Sequence, residues 1–269
     1  MTLPFADISR VTVVAAADAL EAALADGLDP EAAPPRAIVP VGEGELLVMP
    51  AAVGGHAAVK LVTVGPREPR VQGVCVVFDA STLAPVAMLD GIGLTNLRTA
   101  AVSALAVRRL AAPDARRLLV FGRGPQGRAH AEAMQAVRPI EHVDVVGRDG
   151  AGEELVAAAD VICCCTTARE PLFDGTVVAD HACVVAIGSH EPAAREVDEA
   201  LVRRSTVVVE ARTAALREAG DVIAAGLGPD QLVTLRELVA GFEPAPDRPR
   251  VFKSVGMAWE DTVVASLCL

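Results

Sequence analysis

Residues 118–131 read LLVFGRGPQGRAHA, and the order of these residue types decides the fold. Leu118, Leu119, Val120 and Phe121 form a short continuous apolar run, the pattern of a strand buried on both faces of a parallel sheet. Gly122, Gly124 and Gly127 follow in the spacing G-x-G-x-x-G, and a helical run from Ala129 to Val137 comes after them. Such a strand–turn–helix is an anion site. Gly122 permits the tight turn, Gly124 lets bare backbone approach a pyrophosphate, and Gly127 lets the helix lie close on the strand, with its free N–H groups and positive dipole end facing the phosphate. Gly122, Gly124, Pro125, Gln126 and Gly127 are therefore the candidate cofactor-binding turn. An ordinary glycine-rich turn is the alternative, and the strand before it and the helix after it argue against that alternative.

Downstream of this turn, strand-like and helix-like segments alternate: His142–Val146, Glu153–Ala159, Val161–Cys165, Cys183–Ile187 and Thr206–Val209. That is the signature of a doubly wound α/β domain. The second strand should deliver its tip to the cofactor ribose about 20 residues beyond the fingerprint, where an NAD enzyme places an acid. This chain reads Gly147-Arg148 there, which favours a 2′-phosphate and hence NADP, while Asp149 one step later leaves NAD open.

Upstream lie a predicted helix from about Val14 to Ala25, a breaker segment, and short strands at Arg36–Val39, Glu45–Met49, Ala57–Val64, Val71–Phe78 and Ala84–Leu89, spaced as in an antiparallel sheet. In AAVKLVTV, Lys60 stands where both alternating faces are otherwise apolar. A buried lysine needs an anion; the alternative is an edge strand whose lysine reaches water. The next helix is predicted from Asn96 to Ala111 with Thr95 as its N-cap, which puts Arg98 near the third helical position, against the macrodipole. An anion is expected to compensate it, from a substrate, a cofactor or a structural carboxylate.

The whole chain bounds these readings. Its 269 residues are 52% apolar, enough for one large or two modest domains with a substantial core. No run of about 18 uncharged apolar residues occurs and no basic-then-apolar leader opens the chain, so neither a membrane span nor a signal peptide is expected, and the compartment expected is the cytoplasm. A net charge of -11 argues against nucleic acid as a partner. The six cysteines lack C-x-x-C spacing, and Cys163, Cys164 and Cys165 alternate faces along one strand, so buried reduced thiols and no metal are expected.

Four segments in order, LDGIGLTNLRTAAVSALAVRRLA, FGRGPQGRAHAEAM, AIGSHEPAAREVD and VFKSVGMAWEDTVVASL, resemble the ornithine cyclodeaminase and mu-crystallin family across roughly residues 36–267. The resemblance implies a Rossmann domain, residues 113–248, inserted between an N-terminal substrate-binding and dimerisation part, residues 1–112, and a C-terminal segment, residues 249–269, that completes it. It implies a homodimer and hydride transfer between a nicotinamide and the α-carbon of a small amino or imino acid. By the same resemblance Arg36, Lys60 and Arg98 hold the substrate carboxylate, Thr99 and Thr166 contact the cofactor, and Lys253, Ser254 and Gly256 lie beside the nicotinamide. Where the cyclodeaminases carry a proton-transferring aspartate, this chain has His190, which can serve as acid or base near neutral pH. The resemblance thus implies an NADP-dependent reductase of cyclic imino acids or ketimines, with Lys60, Arg98 and His190 as catalytic candidates. A cyclodeaminase forming proline from ornithine, and a nucleotide-binding protein without turnover, stay open. The chain is also shorter than expected for the family, so a trimmed dimer surface or substrate lid is expected.

Overall fold

The computed structural model describes residues 3–269 and divides them into two compact units, one running to Ala101 and including Met257–Leu269, the other Val102–Gly256. In the first unit, helix α1 (Val13–Ala25) begins at Thr12, whose side chain accepts from the N–H of Ala15, and buries Ala16, Ala17, Leu20 and Leu24. Strands β1 (Ala37–Val41), β2 (Gly44–Val53), β3 (His56–Val64), β4 (Val71–Asp79) and β5 (Pro85–Asp90) form an antiparallel meander in that spatial order. Alternation sets its faces: Leu47, Met49, Ala58, Lys60, Val62, Cys75 and Val77 are buried, while Leu46, Val48, Val59, Leu61, Val74 and Val76 on the other face are only half-buried.

Helix α2 (Gly91–Leu110) starts five residues earlier than the sequence suggests. Asp90 caps it, accepting from the N–H groups of Ile92 and Gly93 at 3.0 Å each, and the Thr95 hydroxyl instead donates to Gly91 O at 2.7 Å. Arg98 therefore lies two turns inside the helix, and the macrodipole is not what it opposes. The glycine at 91 and the paired glycine at 93 weakened the helical signal before Thr95, because glycine is a poor helix former.

In the second unit the order is β6 (Arg117–Phe121), α3 (Pro125–Val137), β7 (His142–Val146), α4 (Glu153–Ala158), β8 (Val161–Cys164), β9 (Cys183–Ala186), α5 (Glu199–Arg204), β10 (Thr206–Val209), α6 (Arg212–Glu218), α7 (Gly220–Ala225), β11 (Leu232–Thr234), α8 (Leu235–Val239) and β12 (Arg250–Lys253). Its seven strands are all parallel, in the order β11-β10-β12-β9-β8-β6-β7. The chain winds outward from β6 to β7 and then crosses to β8 on the other side, so the strand order reverses at β6. Strands β11 and β12 escape the sequence reading. β11 has three residues, and β12 reads RVFK, with a charge at each end and only two apolar residues between, so neither shows the continuous apolar run that declares β8, β9 and β10. Because β12 lies between β9 and β10, residues 249–256 belong to the unit of the parallel sheet and only Met257 onward, with helix α9 (Ala258–Ser266), joins the first unit. The borders thus fall at 101/102 and 256/257 rather than at 112/113 and 248/249.

Candidate active site

Lys60 sits on β3 between β2 and β4, with 2% of its surface exposed, so it neither edges the sheet nor reaches water. Helix α9 brings its anion: Lys60 Nζ donates to Asp261 Oδ1 at 2.8 Å. Arg98 reaches the same carboxylate oxygen, Nε to Oδ1 at 3.1 Å, and its Nη1 donates to Glu260 Oε2 at 2.6 Å. Two cations and two carboxylates, all at most 7% exposed, therefore form one dry, electrically balanced cluster. Burial lowers Lys60 to about 8, an effect that Asp261 opposes and Arg98 reinforces. Buried charges of this number do little for net stability when compared with an apolar core of the same volume, which makes them a mark of function. In register, Met49, Lys60, Cys75 and Leu89 form one row across the sheet, and Arg36, one residue before Ala37 and its partner Val48, continues that row two strands from Lys60. At about 4.8 Å per strand, this places the Arg36 backbone roughly 10 Å from that of Lys60. Thr99, also buried, donates its hydroxyl to Thr95 O at 2.7 Å.

The second unit gathers its candidates at the carboxyl ends of its parallel strands, where ligands of such sheets bind. Gly122 ends β6 with φ +113, and a Cβ there would collide with Cys165 O; a Cβ at Gly127 would collide with Gly122 O. Before Gly124 there is open space, since a Cβ built on it meets nothing within 4 Å. Gly124 is also the N-cap of α3, with no side chain accepting from the first turn, and Pro125 and Gln126 are the first helical residues. These are the features a pyrophosphate needs: close packing behind, bare N–H groups and room in front. The glycines fit a dinucleotide.

Thr166 follows β8 and donates both its N–H and its hydroxyl to Glu196 Oε1, at 2.7 and 2.8 Å; the second oxygen, Oε2, accepts from Gly188 N at 2.6 Å. Lys253, at the end of β12, is 1% exposed, and its ammonium lies 2.9 Å from both Ser189 O and Asp221 Oδ2. Asp221 Oδ1 accepts in turn from the N–H groups of Glu196 and Val197. Lys253 thus holds the loop that carries half-buried His190, which is a positioning task. Glu210, at the end of β10, accepts from Ser254 Oγ at 2.5 Å, Val255 N at 3.1 Å and Gly256 N at 2.9 Å, and so fixes the whole Ser254–Gly256 turn. Arg148 follows β7 and is exposed.

The buried carboxylates of Glu196, Glu210, Asp221, Glu260 and Asp261 were not singled out from sequence. For the last two a signal existed: an acidic pair inside the apolar segment MAWEDTVVASL has no place in a buried helix unless cations meet it.

Residues 5–154 and 149–268 match the sequence pattern of the ornithine cyclodeaminase/mu-crystallin family. The chain belongs to that family. It is 35% identical over 262 residues to the ketimine reductase mu-crystallin of Mus musculus, covering 87% of this chain and 83% of that protein. It is 32% identical over 291 residues to a Delta(1)-pyrroline-2-carboxylate/Delta(1)-piperideine-2-carboxylate reductase of Azospirillum brasilense, covering 96% and 93%. Among solved structures, the Thermococcus litoralis Delta(1)-pyrroline-2-carboxylate reductase in complex with NADH and L-proline superposes with a TM-score of 0.89 at 26% identity, over 100% of this chain and 96% of that one. In this family frame the parallel unit is Rossmann-like, as the glycine turn foretold, and the antiparallel unit is the second domain expected beside it. No helix among the described residues is long and apolar enough to cross a membrane.

Proposed function

We propose that this protein is a nicotinamide-dependent reductase of small cyclic imino acids of the pyrroline- and piperideine-2-carboxylate type. The observation that carries the reading is the buried cluster of Lys60, Arg98, Asp261 and Glu260, in which two carboxylates fix the positions of two cations, on the unit that lacks the nucleotide turn. Asp261 and Glu260 balance the charge of the two cations, and a substrate carboxylate would be taken by their donor capacity, three N–H groups on an ammonium and five on a guanidinium, in charge-assisted hydrogen bonds that are strong and orient it. Arg36, on the same row of the sheet, is the third cation. Gripping the carboxylate fixes the adjacent α-carbon, and orientation of that kind can remove a large part of a bimolecular barrier. The reduced nicotinamide supplies the hydride. Lys60, brought down to about 8, keeps its proton at neutral pH and gives it up more readily than an ordinary lysine, which suits protonation of an imine, and His190 is a second proton source. Glu196, Glu210, Asp221 and Lys253 hold the loops that carry Thr166, His190 and Ser254, and act through them.

The cofactor we assign is NADP, on Arg148 at the tip of β7. We assign a homodimer: the sheet face bearing Leu46, Val48, Val59, Leu61, Val74 and Val76 is only half-buried, and Ile38, Val39 and Val41 on the edge strand are exposed, an apolar surface of the kind a partner covers. Six free cysteines fit a cytoplasmic setting.

The test is a panel assay of purified protein with NADPH and with NADH against pyrroline-2-carboxylate, piperideine-2-carboxylate, keto acids with amines, and ornithine. Loss of reduced-nicotinamide absorbance with the cyclic imino acids is expected. Ammonia release from ornithine without added reductant, at a rate equal to or above imine reduction, would make the protein a cyclodeaminase. Tight nucleotide binding without any turnover would make it a binding protein.

A further inference from the structure

The strand-end turn around Arg123 carries chemistry that the proposed function leaves unused. Gly122 N–H donates to Val146 O at 2.9 Å, pinning the first residue of the glycine turn to the last residue of β7. Arg123 therefore projects over the end of β7: its Nη1 lies 2.8 Å from the position a Cβ on Gly147 would take, and its Nη2 lies 3.4 Å from Asp149 Oδ2. The other oxygen of Asp149 accepts from Gly147 N at 3.1 Å. Arg128, in the first turn of α3, donates from Nη1 to Arg123 O at 2.9 Å and stiffens the same corner.

Two consequences follow from these contacts. Asp149 is the one acid in the turn Gly147–Gly150, and each of its oxygens already has a partner, one in its own backbone turn and one in Arg123, so ribose hydroxyls would have to share it with both. The corner also carries three arginines, Arg123, Arg128 and Arg148, against that single carboxylate, a local excess of two positive charges on a chain whose net charge is -11. A phosphate at the ribose 2′ position would answer both features. Planar guanidinium groups suit it, and Asp149 already marks a place beside Arg123 where an anion is stable.

We infer that Arg123 is a second determinant of nucleotide choice, exchanging its ion pair with Asp149 for the 2′-phosphate of NADP, with Asp149 acting as a resident competitor of that phosphate. The inference rests on the NADP assignment and adds to it a residue and a direction of effect that Arg148 alone does not give.

The experiment measures dissociation constants of adenosine 2′,5′-bisphosphate and adenosine 5′-monophosphate, by calorimetry on the full chain, for wild type, Arg123→Gln, Asp149→Asn and Arg148→Gln. Arg123 is well exposed, so its replacement leaves the fold in place, which circular dichroism checks. Arg123→Gln is expected to reduce the preference for the bisphosphate about tenfold or more, the size of one charge-assisted hydrogen bond, while Asp149→Asn raises it. A wild-type preference that Arg123→Gln leaves intact and Arg148→Gln removes would overturn the role of Arg123 and leave the NADP assignment standing. Equal affinities in the wild type would overturn both.

Discussion

The two binding regions of this molecule are built on opposite plans. The turn at Gly122–Gly127 works by leaving side chains out, and its working parts lie within one strand, one turn and one helix of contiguous sequence. The cluster at Lys60 works by putting charge in, and its partners stand 201 residues away for Lys60 and 162 residues away for Arg98. A region made of absences tolerates local change as long as backbone space is kept. A region made of balanced buried charges fails when any one member is removed alone, because the remainder cannot be solvated.

The largest effect expected from this difference is at Lys60. Lys60→Met should lower unfolding free energy by about 3–5 kcal/mol, since Asp261 is left buried without its closest cation. The paired change Lys60→Met with Asp261→Leu should recover most of that loss. Urea denaturation of both variants is the check, and a double variant as unstable as the single one would mean that the charges are not coupled.

A smaller effect comes from the one buried titratable side chain of the glycine helix. His130 Nδ1 donates to Gln126 O at 2.8 Å, so Nε2 of the neutral ring accepts from Ser103 Oγ at 2.9 Å, and burial pushes its pKa from 6.5 down to about 4. Its folded value lies below its unfolded one, so the unfolded chain binds the extra proton between those limits and stability falls as pH drops from about 6.5 towards 4. The loss approaches roughly 3 kcal/mol at the acid end, at about 1.4 kcal/mol per pKa unit. Urea midpoints across that range should fall less steeply for His130→Gln than for the wild type.

The glycines separate the two plans most finely. Gly127→Ala forces a methyl into Gly122 O and should destabilise the chain by about 1–3 kcal/mol. Gly124→Ala meets no protein atom, so thermal unfolding should be unchanged while titration by NADPH fluorescence shows weaker binding. If Gly124→Ala bound the nucleotide like the wild type, no phosphate would lie against that residue.

The same contrast explains what the sequence disclosed. The glycine fingerprint, its strand and the alternation after it were legible because their information is local: spacing, an apolar run and a helix start. Lys60 was legible as a discord, a charge on a strand with two apolar faces, but its partner was not, because no local pattern connects β3 to α9. Arg98 was singled out for a reason that did not hold. The helix starts at Gly91, with two glycines in its first turn that weaken the helical pattern, and the true anomaly is a cation two turns deep that Glu260 and Asp261 balance. Lys253, placed beside the cofactor by resemblance, turns out to spend its ammonium on Ser189 and Asp221. Strand β12 was missed because Arg250 and Lys253 leave it only two apolar residues, and with it the true end of the parallel unit.

The central claim is that the cations of the antiparallel unit hold a substrate carboxylate. Arg98→Lys tests it, because lysine keeps the charge that Glu260 and Asp261 need while losing the guanidinium fork. The measurement is kcat/KM with saturating NADPH for pyrroline-2-carboxylate and for pyrroline, which lacks the carboxylate, in wild type and variant. The ratio of the two should fall about tenfold or more in Arg98→Lys, with nucleotide affinity unchanged. An unchanged ratio, with both substrates slowed alike or neither slowed, would show that Arg98 serves the fold and not the carboxylate.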